Sequence, residues 1–250
     1  MSANGVGLPE SVVFAPAPRQ LYRYRAKMGM MGSAEFLVKM DDFTGPLATN
    51  VPDGWSAAVI DTGATIVADT TAGSLGASGV LLFDSDGTTE GAAFYGEKQV
   101  QLTVGKRFFM EIRFQTEVAA DSDVQFGLTA LTATTNPEDL WTTVATDLVA
   151  FGVLDGDATV TMLADKDNSG STAELGTVDL SDATWHTLAI YYDGAGTLQG
   201  YVDGELALTW AQASTTIPTG VALAPFVGFR NGSAATTEGH CDYVRFVLQR

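Results

Sequence analysis

Between Trp185 and Glu205 the chain reads WHTLAIYYDGAGTLQGYVDGE, a stretch that leaves little room for any fold but one of antiparallel strands. From Trp185 to Tyr192 the side chains alternate. His186, Leu188, Ile190 and Tyr192 fall on one face and Trp185, Thr187, Ala189 and Tyr191 on the other, the period of two that a pleated strand imposes. Asp193-Gly194-Ala195-Gly196 predicts a chain reversal, and Asp203-Gly204 a second, two-residue turn whose positive φ angles suit Asp and especially Gly. The expectation is a hairpin followed by the start of a third strand.

The same signal recurs along the chain. Arg107 to Gln115 places Phe108, Met110, Ile112 and Phe114 inward, with Arg107, Glu111, Arg113 and Gln115 opposite together with Phe109. Gly79 to Phe83 is an apolar run closed by Asp84-Ser85-Asp86-Gly87. Val124, Phe126 and Leu128 repeat the pattern, as do Val153 and Ala158 to Leu163 around Asp155-Gly156, Phe226 to Arg230, and Tyr243 to Leu248. Many short strands at regular turn spacing predict a sandwich. Its 250 residues suit one large domain of this kind, and 46% hydrophobic against 17% charged residues allows a sizeable core. One segment breaks the pattern: Asn136-Pro137-Glu138-Asp139-Leu140-Trp141 has a capping Asn, a Pro at the first helical position and acids in the first turn, and predicts a short helix between strands.

Charge divides the chain unevenly. The formal net charge is −17. Residues 1–40 carry Arg19, Arg23, Arg25, Lys27 and Lys39 against Glu10 and Glu35, a balance of +3, while the remainder holds 8 bases against 28 acids, a balance of −20. An acidic body opposes adhesion to nucleic acid or anionic lipid, because phosphate backbones are held by concentrated Lys and Arg. Neither nucleic acid nor membrane is expected as a partner. No apolar run approaches the ~20 residues of a membrane span, and Ser11 to Ala15 is too short for the hydrophobic region of a secretory leader. With Cys241 as its single cysteine the chain forms no internal disulfide.

Residues 1–20 mix Gly, Ser, Asn and Pro without periodicity and predict an extended arm. Leu21 to Gly32, LYRYRAKMGMMG, interleaves basic and apolar side chains. That pattern fits an edge strand with a solvated basic face as well as a docking segment; in the second case Arg19, Tyr22, Arg23, Tyr24, Arg25 and Lys27 are the partner-binding residues.

The WH…YDG…YVDGE hairpin resembles that of concanavalin A-like and laminin G-like jelly-roll domains. Similarity extends, at decreasing clarity, from Asp41-Asp42-Phe43 through Trp55 and the Phe-rich strand Phe108 to Phe114 as far as Arg250. The resemblance implies an all-β fold, an antiparallel jelly-roll β-sandwich over residues 41–250 behind an extended arm of residues 1–40. Domains of this kind occur in lectins, laminin G modules, glycoside hydrolases, polysaccharide lyases and structural proteins of tailed bacteriophage particles, so the fold alone selects no function.

Glycosidases of this superfamily carry an E-x-D-x-x-E cluster on one strand, since for retention two carboxylates must flank the scissile bond at about 5–5.5 Å. No such cluster occurs here. Glu111 shares its strand face with Arg113, which predicts an ion pair or a solvated surface. Asp165-Lys166-Asp167-Asn168-Ser169-Gly170 opens like a calcium loop, but its twelfth position is Gly176 rather than a bidentate Glu, so a polar hairpin loop is the better reading. In His240-Cys241-Asp242 neighbouring side chains point to opposite faces of a strand and do not converge on a metal. Trp185 and Trp210 are expected in the core; Trp141 is the best exposed candidate for stacking on a sugar, although packing is the favoured role there too. No catalytic residue, metal site or cofactor is assigned.

These observations favour a non-enzymatic virion structural protein, a decoration (cement) protein on the outer surface of a phage capsid. It would be made in the host cytoplasm, bind the major capsid protein or other virion subunits through its arm, and stand as a homo-oligomer on the particle. The alternative is a carbohydrate-binding, lectin-like module with glycans as partners, possible also as a host-surface adhesin. A glycan hydrolase or lyase has the weakest support.

Overall fold

The computed structural model describes residues 36–41, 43, 55–59, 64–68, 79–84, 87, 89–131, 147–167, 172–211, 216–232 and 237–249. Among them the chain forms fifteen strands: β1 (Phe36–Asp41), β2 (Ser56–Val59), β3 (Thr65–Ala68), β4 (Leu81–Asp84), β5 (Gly91–Tyr95), β6 (Phe108–Thr116), β7 (Ser122–Thr129), β8 (Leu148–Leu154), β9 (Asp157–Asp165), β10 (Thr172–Asp179), β11 (His186–Tyr192), β12 (Thr197–Val202), β13 (Glu205–Ala211), β14 (Ala224–Asn231) and β15 (Gly239–Gln249). A single 3-10 turn, Ala119–Asp121, leads into β7.

Two antiparallel sheets pack face to face. Sheet A runs β13-β12-β11-β6-β15-β4-β3, with β1 also paired to β15, and sheet B runs β10-β9-β8-β7-β14-β5-β2. The fold is an all-β, jelly-roll β-sandwich. Alternation along each strand supplies its core: Phe108, Met110, Ile112 and Phe114 of β6, Leu188, Ile190 and Tyr192 of β11, and Val244 and Phe246 of β15 meet Val124, Phe126 and Leu128 of β7, Val149, Phe151 and Val153 of β8, and Val227 and Phe229 of β14. Each such side chain contributes about 1.5–3 kcal/mol by leaving water. Aromatic rings add to this core: Phe83 of sheet A stacks on Phe94 of sheet B at 5.8 Å, and Trp55 meets Phe94 edge-on at 5.0 Å.

The hairpin that dominates the sequence forms as expected. Asp193 Oδ1 accepts hydrogen bonds from the amides of Ala195 (2.6 Å) and Thr197 (3.0 Å), closing the β11–β12 turn. In the β12–β13 turn Asp203 (φ 52°) and Gly204 (φ 87°) both take positive φ. The Asp203 carboxylate then reaches back to the first strand, accepting from the Thr187 amide and meeting His186 Nδ1, each at 2.8 Å. One aspartate thus sets both a turn and the register of its neighbour.

One difference from the sequence reading stands out. Strand β1 pairs residue by residue with the C-terminal half of β15, from Phe36 opposite Gln249 to Asp41 opposite Val244. Residues 36–40, counted with the arm in the sequence, therefore lie in sheet A. Physically, β4 pairs only with Gly239 to Cys241 of β15, and a β-prone FLVKM segment satisfies the edge left beyond it. The Asp165 loop joins the antiparallel strands β9 and β10, with Thr172 opposite Ala164, in keeping with the hairpin expected there. Its residues 168–171, and the segment Asn136 to Trp141, lie outside the described residues.

Candidate functional site

The outward side chains of sheet A line up in rows across the strands, because pairing fixes which residues stand opposite one another. Arg113 of β6 lies opposite Thr187 of β11 and Tyr243 of β15, Glu111 opposite Ala189 and Arg245, and Phe109 opposite Tyr191 and Val247. A β-bulge between Cys241 and Tyr243 interrupts the β15 register. Its effect is to turn two consecutive side chains to the same side: Asp242 reaches Arg113, with Nη1 to Oδ2 at 2.5 Å, and Tyr243 Oη donates to Glu111 Oε1 at 2.7 Å. Arg245 also donates to Glu111. Cys241, on the other side of the bulge, faces the core and is buried.

For Glu111 the ion-pair half of the expectation holds and the solvated half does not. It is fully buried rather than solvated, and its cationic partner is Arg245, not Arg113. Cross-strand neighbours stand closer together than residues two apart on one strand. Burial, and then the Glu111 carboxylate beside it, push the Tyr243 phenol well above its ordinary value of 10.0.

Beyond this network the face opens toward the start of β11. Trp185 is half-buried there and is not part of the core. The Arg113 guanidinium lies 4.7 Å over its ring, and the His240 ring approaches at 6.3 Å with an interplanar angle of 60°. Gln115 is half-buried on the same face, and Glu238 Oε2 stands 3.7 Å from His240 Nε2. The ring is thus flanked by two planar cationic or donor groups, Arg113 and His240, which in turn stand beside the carboxylates of Asp242 and Glu238, with Gln115 opposite His240. Such a set fits a ligand rich in hydroxyl groups, which needs apolar ring contact and several directed hydrogen bonds at once. The two carboxylates best placed on this face each accept from an arginine, Asp242 from Arg113 and Glu111 from Arg245.

Trp185 overturns the expectation that it belongs to the core, although the alternation had already placed it opposite Leu188 and Ile190. Trp210 is buried in the core as expected, and so is Trp55. Trp141 and the arm residues Arg19, Tyr22, Arg23, Tyr24, Arg25 and Lys27 lie outside the described residues. His240 and Asp242 share the outward face while Cys241 points inward. Among the described residues no three His, Cys, Asp or Glu side chains come together as metal ligands. A second ionic group, on sheet B, is structural: buried Asp123 accepts from Arg230 Nε at 2.7 Å and from the Asp155 amide at 2.9 Å, tying β7 to β14 and to the β8–β9 turn. Burial raises the Asp123 carboxyl above its ordinary value, and Arg230 opposes that shift.

No family model matches the chain, and no curated protein matches it in sequence. Solved structures do. The carbohydrate recognition domain of Emp47p superposes with a TM-score of 0.59 at 13% identity, covering 86% of this chain and 97% of that one. Arcelin-5, a lectin-like defence protein of Phaseolus vulgaris, gives 0.55 at 11% identity over 86% and 99%. A carbohydrate esterase of the Shiga toxin-encoding bacteriophage phi24B gives 0.50 at 12% identity over 84% and 97%. At these identities what the chain shares with all three is the fold, the antiparallel jelly-roll sandwich of lectin-type domains.

Proposed function

We propose that the chain is a lectin-like carbohydrate-binding module that holds its glycan on the outer face of sheet A around Trp185, without turning it over. The observation that carries this reading is the placing of a tryptophan outside the core, between Arg113 and His240, with the carboxylates of Asp242 and Glu238 beside those two residues. The similarity in fold to a carbohydrate recognition domain and to a lectin-like protein supports it. Engagement of Asp242 and Glu111 by arginines favours binding over cleavage, since a glycosidase needs one carboxyl free to give up a proton and the other free to attack.

A glycan array followed by affinity electrophoresis tests the proposal. Retention by the wild-type protein and about tenfold or greater weakening by Trp185→Ala, the loss of a ring at the centre of a contact, are expected. Absence of retention on every glycan, with and without calcium, would remove the reading.

The reading as a virion surface component rests on the contrast between the +3 leader and the −20 body and on the similarity in fold to a phage protein. In it, the leader binds the capsid and the sandwich stands outward, which is compatible with glycan binding at Trp185. Deletion of residues 1–35, which leaves strand β1 in sheet A, would then abolish attachment to phage heads; normal decoration by the truncated protein would dismiss it.

A further inference from the structure

The outer face of sheet A has a second half with a different character. Toward the ends of β15 and β11, Phe109, Tyr191, Tyr201 and Val247 point away from the core, yet they are only 1%, 3%, 1% and 3% exposed. Ala189 and Glu111 beside them are equally hidden. The substantial contacts that β6 and β11 make outside their own sheet, among the described residues, are with β7 and β8, which lie across the core on the opposite side. Outward apolar side chains this hidden lie beneath a covering segment.

Where the leader enters tells what docks. Strand β1 begins at Phe36 beside Gln249, at the Phe109–Tyr191–Val247 end of the sheet. Residues 21–32 end four positions earlier. Extended, these twelve residues reach up to about 40 Å, and crossing from β1 to β12 takes four strand spacings, about 19 Å. Their sequence alternates in the way such a face requires: Tyr22, Tyr24, Ala26, Met28 and Met30 fall on one side, with Arg23, Arg25 and Lys27 on the other.

We infer that residues 21–32 lie across this half of sheet A in the same chain, with Tyr22, Tyr24 and Met28 on Phe109, Tyr191, Tyr201 and Val247. The apolar positions of the leader are then engaged by its own body. Arg23, Arg25 and Lys27 face outward and form the surface offered to any partner, while the Trp185 half of the same sheet stays open to ligand.

The intact protein tests this through a photo-crosslinking residue, Tyr24→p-benzoylphenylalanine. Irradiation of dilute protein should give links within one chain to peptides containing Phe109, Tyr191, Tyr201 or Val247. Links between two copies, links to sheet B, or the lack of any defined link overturn the inference. A second measurement uses a dye that reports apolar surface. The Tyr22→Ser/Tyr24→Ser variant should raise its fluorescence several-fold while Arg23→Ser/Arg25→Ser leaves it unchanged, and equal values for the two variants would refute the assignment of faces.

Discussion

Replacing Glu111 by alanine probes the least expected feature of sheet A, a carboxylate fully buried on an outward-facing position. The substitution leaves the Arg245 guanidinium without its acid and the Tyr243 hydroxyl without its acceptor. Removing one partner of a buried ion pair costs about 3–5 kcal/mol. Because the Arg245 side chain keeps 20% of its exposure, water recovers part of that loss, and the lower end, about 3 kcal/mol, is expected. In urea, at a slope of about 3 kcal/mol/M for a body of this size, the unfolding midpoint should fall by about 1 M. Glu111→Met combined with Arg245→Met removes both charges at once and should recover most of the loss, so that the double-mutant cycle gives a coupling of about 1 kcal/mol or more. A midpoint for Glu111→Ala within 0.2 M of wild type, with additive single substitutions, would refute the claim that these two charges depend on each other.

Three further outcomes are expected from the same packing. Gly200→Ala would place a methyl 2.6 Å from the buried ring of Phe151, an overpacking worth about 1–3 kcal/mol, and calorimetry should show a lower Tm; an unchanged Tm would mean the ring moves freely. Asp203→Ala removes the acceptor for the Thr187 amide and the contact with His186 at a position with φ 52°. It should cost about 1–2 kcal/mol in urea titration, with Asp203→Asn, which tolerates that φ, costing less. In alkali, Tyr201 is pushed up to about 12, by burial first and the neighbouring Tyr191 second, and Tyr243 is raised as well, whereas an unfolded tyrosine loses its proton near pH 10. Above that pH the folded chain binds more protons than the unfolded one. Stability is therefore fully present below about pH 10 and falls as pH rises toward 12; Tyr243→Phe should flatten the fall in urea midpoints, and an equally steep profile in that variant would contradict the assignment.

Local rules decided much of this molecule in advance. Asp203-Gly204 takes positive φ at both positions because Gly lacks a Cβ and Asp tolerates the left-handed region, and the sidedness of β6 follows from its alternation alone. Long-range pairing decided the rest. Alternation placed Trp185 opposite Leu188, but only the pairing of β6 with both β11 and β15 brings Arg113 and His240 to its ring. No signal in the sequence marks the bulge at Cys241 that turns Asp242 and Tyr243 to one side, and none matches Glu111 with Arg245, 134 positions away, over Arg113 two positions along. A strand's sequence states which side chains share a face, since that depends on the pleat. What stands beside that face depends on register with strands distant in the chain, and register is set only when two sheets close on a common core.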